Sequence, residues 1–202
     1  MAQLKLKYIF PALLLIGGLL LAAPPASPLD TSAPDGLPPP TAGNDSYDKV
    51  MSVLTHPRCI NCHPSDHLPK QGLEGRPHHF GVARGAAGHG FEATNCNTCH
   101  QNENNDYSGV PGAPHWGLAP ASMGWQGLSR AEVAEALLDR SRNGNRGYEA
   151  LIHHLTEDPL VLWAWSPGVD AAGQPREKPP VAKEAYIKAV KDWFAAGAPI
   201  PR

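Results

Sequence analysis

The chain lacks an excess of charge of either sign: Lys and Arg number 17 against 19 for Asp and Glu, a formal net charge of −2. Nucleic-acid binding calls for a clustered surplus of Lys and Arg, so that class of partner is excluded. It lacks a long apolar run, since the most apolar stretch, Tyr8 to Leu21, is short for a membrane-spanning helix. It lacks room for a second large core, because 202 residues accommodate one ordinary domain and some tail. Cysteine is scarce too: the four present are confined to two five-residue segments.

Pro and Gly, at 22 and 20, are plentiful instead. At that level a chain is largely irregular unless something besides its own side chains organises it, and a bound cofactor can supply that core. The N-terminus has Lys5 and Lys7, then the apolar run, then small residues, which is the shape of a secretory signal. Residues 1–23 are therefore read as a signal peptide or, if the alanines beside the prolines are not cut, as an uncleaved membrane anchor. Export to the periplasm is expected, as a soluble protein or one tethered through that segment. Residues 24–43, PPASPLDTSAPDGLPPPTAG, read as a Pro-rich disordered linker, and residues 44–202 as the folded domain.

Within that domain Tyr47, Val50, Met51 and Leu54 recur at helical spacing, with Asp45 or Ser46 as the cap. Ser129 and Glu132 form a capping box for a helix with Val133, Leu137 and Leu138 on one face and Gly144 closing it. A short helix is expected over Tyr148 to Leu155. Another is expected over Val181 to Ala196, with Tyr186, Val190, Trp193 and Phe194 on one side and Gly197 after it. LVLWAW, from Leu160, reads as a single strand. The stretches after each cysteine segment show no period and read as loops; the Asn/Asp run QNENND lacks the ligand spacing of an EF-hand.

The two cysteine segments are CINCH, Cys59 to His63, and CNTCH, Cys96 to His100; no longer repeat accompanies them. Zinc ribbons, thiol oxidoreductases, structural disulfides and covalent haem attachment all use Cys-x-x-Cys. A zinc ribbon gives no reason for a His directly after each pair. A thiol oxidoreductase places its motif at a strand-to-helix junction of a sheet, and no such sheet is apparent. A disulfide across two intervening residues closes a loop too short to stabilise much. Haem attachment uses every residue: on a helical turn two Cys three apart project to one side, and the following imidazole lies under the iron.

CINCH and CNTCH resemble the haem-binding motifs of c-type cytochromes, a family matured outside the cytoplasm. The resemblance implies two c-type haems, with Cys59, Cys62, Cys96 and Cys99 as thioether residues and His63 and His100 as proximal iron ligands. It implies a mainly α fold with long irregular loops, cytochrome c-like helices packing around two covalently bound haems. HPRCINCHP, PGAPHWGLAPASMGW and LVLWAWSPG also resemble small diheme cytochromes that are redox partners of periplasmic molybdenum-containing dehydrogenases. The implied function is electron carriage between a donor and an acceptor protein, with no catalytic residue. The alternative is a diheme peroxidase-like enzyme in which one haem keeps an open coordination position.

What fills the sixth position decides between these readings. His78, with His79 beside it, lies in a loop able to fold over the first haem. Met123, in a Pro-containing loop that resembles the methionine loop of monohaem cytochromes c, and His154 compete for the second. His56 and His89 are lesser candidates, and Met51 is expected in the core. Trp116, Trp125, Trp163, Trp165, Trp193 and Phe194 are expected against porphyrin faces or in ordinary packing. Arg84 or Trp116 is expected to donate to a haem propionate.

Overall fold

The computed structural model describes residues 42–201. The signal or anchor at 1–23 and nearly all of the linker lie outside those residues. Helix α1 (Ala42–Leu54) buries Tyr47, Val50, Met51, Val53 and Leu54 along one stripe. It starts earlier than the sequence suggested, so Asp45 lies inside its first turn and pairs with Lys49 at 2.6 Å instead of capping. Met51 is wholly buried in the core.

Helix α6 (Lys183–Ala195) packs against α1 with Tyr186, Val190, Trp193 and Phe194 buried. Tyr47 meets Trp193 edge to face, ring centroids 6.1 Å apart. The helix ends as its sequence suggested: Gly197 takes φ +86°, its N–H bonds to the Phe194 carbonyl, and the Ala198 N–H bonds to that of Trp193. Helix α3 (Arg130–Leu138) starts at the capping box, Ser129 N–H donating to Glu132 Oε2 at 2.7 Å and the Glu132 N–H to Ser129 Oγ at 3.3 Å. It stops well before Gly144. Buried Asn143 satisfies a last-turn carbonyl by donating from Nδ2 to Leu137 O at 2.8 Å. Helix α4 (Tyr148–Glu157) lies against α6, Tyr148 edge-on to Phe194.

The expected strand LVLWAW is helical: α5 (Pro159–Leu162) runs into a 3-10 turn at Trp163–Trp165. Its apolar, aromatic residues suit a strand, but the Asp158-Pro159 pair in front decides otherwise. Asp158 Oδ1 accepts the Leu160 N–H at 2.9 Å, and Pro159 occupies the first helical position, where its missing N–H costs nothing.

Between the short helix α2 (Pro57–Ile60) and α3, regular structure amounts to the hairpin β1 (Lys70–Gln71) and β2 (Arg76–Pro77) plus 3-10 turns. Gly90, at φ +83°, is required there, because a Cβ on it would lie 2.3 Å from the Thr94 carbonyl oxygen. Among the described residues no helix is long and apolar enough to cross a membrane.

Trp193 and Ser129 test the two kinds of support. Trp193→Ala, at the centre of the α1–α6 contact, is expected to cost about 3–5 kcal/mol, and Ser129→Ala about 1 kcal/mol, by urea unfolding. Equal losses would mean that α3 depends on its cap as heavily as the core depends on Trp193.

Candidate functional site

The two Cys-x-x-Cys-His segments fold into the same turn. In the first, the N–H groups of Cys62 and His63 both donate to the Cys59 carbonyl, at 3.1 Å each. In the second, Cys99 and His100 both donate to the Cys96 carbonyl, at 3.2 and 2.9 Å. The turns start from different residues. His56 Nδ1 accepts the Arg58 N–H at 3.2 Å ahead of the first, and Asn95 Oδ1 accepts the Asn97 N–H at 3.0 Å ahead of the second. Each turn sets its two thiols on one side with the imidazole following.

The imidazoles are held alike. His63 donates from Nδ1 to the Met123 carbonyl at 2.7 Å, and its ring stacks on Trp125 at 3.5 Å between centroids. His100 donates from Nδ1 to the Pro111 carbonyl at 2.7 Å, and its ring stacks on Trp116 at 4.5 Å. A carbonyl can only accept, so Nδ1 carries the proton and Nε2 the lone pair in each neutral ring.

The first turn borders a cavity of about 220 Å³ walled by α1, α3, α4 and α5 through such residues as Leu54, Leu137, Leu151 and Val161. Cys59, Cys62, His63 and His154 all face it. Burial pushes the Cys59 thiol up to about 12. Burial first, and the nearby Cys96 second, push the Cys62 thiol up to about 11. Reactive or zinc-binding thiols need the opposite shift. Burial also lowers His63 to about 4, against the effect of its bond to Met123, and nearby His154 and Arg84 lower it further. His154, on α4, donates from Nδ1 to Asp158 Oδ2 at 2.9 Å, and that bond holds the Asp158 carboxyl below its ordinary range.

The second turn lies nearer the surface. Cys99 is exposed, whereas Cys96 and His100 are half-buried, as Cys59, Cys62 and His63 are; burial raises the Cys96 thiol and lowers His100. His78, expected over the first motif, lies instead beside the second: its ring centroid is 5.9 Å from that of His100, the planes at 73°. The reason is the hairpin. It is tied to the first turn by the Lys70 N–H on the Asn61 carbonyl, and the His78 N–H closes back on the Pro69 carbonyl, which fixes where the chain carrying His78 leaves it. Two imidazoles bonded through nitrogen to one metal, at about 2.0–2.1 Å each, have centroids roughly 6 Å apart.

The other candidates sort by their hydrogen bonds. His78 and His89 donate from Nδ1 to the carbonyls of His79 and Trp116, at 2.9 and 3.1 Å, which leaves Nε2 as a ligand atom in the neutral ring. Gly117 makes the His89 position possible, since a Cβ there would lie 2.4 Å from His89 Nδ1. His56 is spent otherwise: Nδ1 accepts from Arg58, and Nε2 lies 3.5 Å from Glu177. Met123 and His154, expected as rivals at the second haem, both lie beside the first motif instead, where the Met123 carbonyl accepts the His63 Nδ1–H. Arg84 turns its guanidinium to the carbonyls of Ala119, Pro64 and Asp66. Trp116 lies flat on His100 and meets Trp163, a wall of the first cavity, edge-on at 4.9 Å.

No family model, no curated protein and no solved structure matches the chain. Its residues nonetheless fit haem c. Each turn offers two thiols and an Nε2 lone pair, and the first adds an apolar cavity with a buried indole, Trp125 Nε1, that has no partner among the described residues. The four thiols are not gathered into one cluster: among the described residues no three of His, Cys, Asp and Glu converge as ion ligands. Sequence reasoning missed Asp158, though its spacing of four from His154 on a helical run was the available signal. It also missed the pairing of Trp125 with His63 and Trp116 with His100, which no period announces.

In protein prepared without cofactor, Cys99 is expected to be alkylated by iodoacetamide many times faster than Cys59 or Cys62 at neutral pH, read by peptide mass. Equal rates would contradict the shielding of the half-buried first pair relative to exposed Cys99. The folded chain also holds the His63 proton less tightly than the unfolded chain does, about 4 against an ordinary 6.5. That contribution, about 3 kcal/mol, is whole above pH 6.5 and is lost as pH falls toward 4. The urea midpoint should drop across this interval, and a level profile would count against a buried neutral ring.

Proposed function

We propose that the chain is an exported diheme c-type cytochrome that carries single electrons between redox partners. The observation that carries the reading is the repeated assembly: two turns with the same hydrogen bonds, each presenting two thiols and an imidazole fixed at Nδ1 by a carbonyl and at its face by a Trp. Bound haem supplies the Fe(III)/Fe(II) couple, so one electron enters from a donor and one leaves to an acceptor with no bond made or broken in the protein. Cys59 and Cys62, and Cys96 and Cys99, are the attachment residues. Each thiol adds S–H across a porphyrin vinyl group, sulfur to one carbon and hydrogen to the other, so no oxidant is consumed.

In this reading His63 and His100 would be the proximal ligands, and His154 and His78 would hold the first and the second haem as the further ligands. Support for His154 is its place in the cavity of the first turn and its influence on His63; support for His78 is the centroid separation of 5.9 Å from His100. Trp125 Nε1 is a donor for a propionate, while three of the five N–H groups of Arg84 bond to carbonyls. Two closed faces suit a carrier, whereas an enzyme of the diheme peroxidase kind requires an open one. A half-exposed second site suits the small, transient encounters of electron-transfer partners. Export and a membrane tether rest on the sequence of residues 1–23 alone.

Expression with a c-type maturation system is expected to give a chain heavier by two haems, with a pyridine haemochrome spectrum of two bis-thioether groups. The reduced protein should not bind carbon monoxide. His154→Ala and His78→Ala should each open one haem to carbon monoxide, seen as a Soret shift of half the total absorbance. A colourless protein would sink the proposal, and carbon monoxide binding by one haem of the unaltered protein would favour the peroxidase-like alternative.

A further inference from the structure

Four imidazoles are assigned to iron in the reading above, and all four direct Nδ1–H at an acceptor. Three of those acceptors are neutral: the carbonyls of Met123, Pro111 and His79, at 2.7, 2.7 and 2.9 Å. The fourth is a carboxylate, Asp158 Oδ2, 2.9 Å from His154 Nδ1. Its other oxygen, Oδ1, accepts the Leu160 N–H at 2.9 Å, so the carboxylate is fixed to the start of α5 as well as to the ring. Both side chains are about one third exposed, 31% for His154 and 30% for Asp158.

A metal-bound imidazole that donates its second N–H to a carboxylate is more basic than one that donates to a carbonyl. A more basic ligand favours Fe(III) over Fe(II) and lowers the potential. The apolar cavity around the first turn acts in the other direction, since it disfavours the extra positive charge of Fe(III). At the second turn both imidazoles, His100 and His78, donate to carbonyls, and Cys99 is exposed.

From this asymmetry we infer that Asp158 is a positioning residue that holds down the potential of the first haem through His154, offsetting the rise its burial produces, and has no hold on the second. This rests on His154 ligating iron, and the test separates the two ideas. Asp158→Asn is the informative change. The amide removes the negative charge and has one acceptor oxygen where the carboxylate used two, so it keeps either the bond from His154 or the cap on the Leu160 N–H, Asn being as good a cap as Asp, and in both cases the ring loses its anionic partner. Asp158→Ser keeps the cap and withdraws the acceptor, which makes it the second variant.

Redox titration of the holoprotein, followed optically, gives both potentials. Asp158→Asn is expected to raise one of them by about 59 mV, the equivalent of a tenfold loss in the preference of the ligand set for Fe(III), and to leave the other in place. Both haems should stay low-spin by electron paramagnetic resonance. Asp158→Ser should raise the same potential. Two unchanged potentials, a shift of both, or a fall would overturn the role of Asp158. A high-spin signal or failure to mature in both variants would overturn it as well, marking Asp158 as structural only. If His154→Ala opens no haem to carbon monoxide, the ligand assignment itself has failed, which the Asp158 variants alone could not reveal.

Discussion

Two bonds of 2.7 Å, from His63 Nδ1 to the Met123 carbonyl and from His100 Nδ1 to the Pro111 carbonyl, are the constraint on which the rest depends. Each fixes three things at once: which nitrogen carries the proton, which way the ring faces, and where the strap supplying the carbonyl must run. The first strap is bound to its turn along its length, the Ala119 N–H on the Cys62 carbonyl and the Trp125 N–H on that of His63. Trp125 thereby arrives on the face of His63. The chain between the turns and α3 has few regular elements, so these bonds act as its framework.

The helices were legible where an apolar period coincided with end signals. The capping box at Ser129 and the glycine after α6 mark real ends, and Leu151 and Leu155 are buried on α4 as their spacing implied. The failures have local causes. Asp158-Pro159 outweighed the strand-like character of LVLWAW, and Asn143 ended α3 before Gly144 was reached. The candidate site was legible at the level of the motifs, because three residues of fixed type within five positions mark each turn. The partners of each imidazole were not, because they come from distant chain whose course depends on turns without a periodic signature. His78 shows the difficulty: its loop was expected over one motif, and beyond a hairpin with strands of two residues its ring lies beside the histidine of the other.

The sites share a turn and differ in surroundings. The first is enclosed by helices and has thiols of high proton affinity; the second is partly open, with Phe80 and Phe91 exposed on the chain that precedes it. They are joined by an edge-on contact between Trp163, in the wall of the cavity, and Trp116, on the face of His100. Arg58 lies 5.8 Å over the same Trp163 ring, and Asn104 holds its indole N–H at 2.9 Å, so this wall is fixed by a cation and a hydrogen bond.

The segment between the turns closes in nested steps: Lys70 on Asn61, His78 on Pro69, Arg84 on His67, Gly90 on Arg84 and Cys96 on His89, all through backbone bonds. Each closure spans a short stretch, and the entropy lost in joining chain ends grows only with the logarithm of the length enclosed. Cys62 and Cys96 are brought near one another by this ladder of small loops, in place of one large closure. The separation of the two turns is thus set by the polypeptide's own backbone bonds, whatever either turn holds.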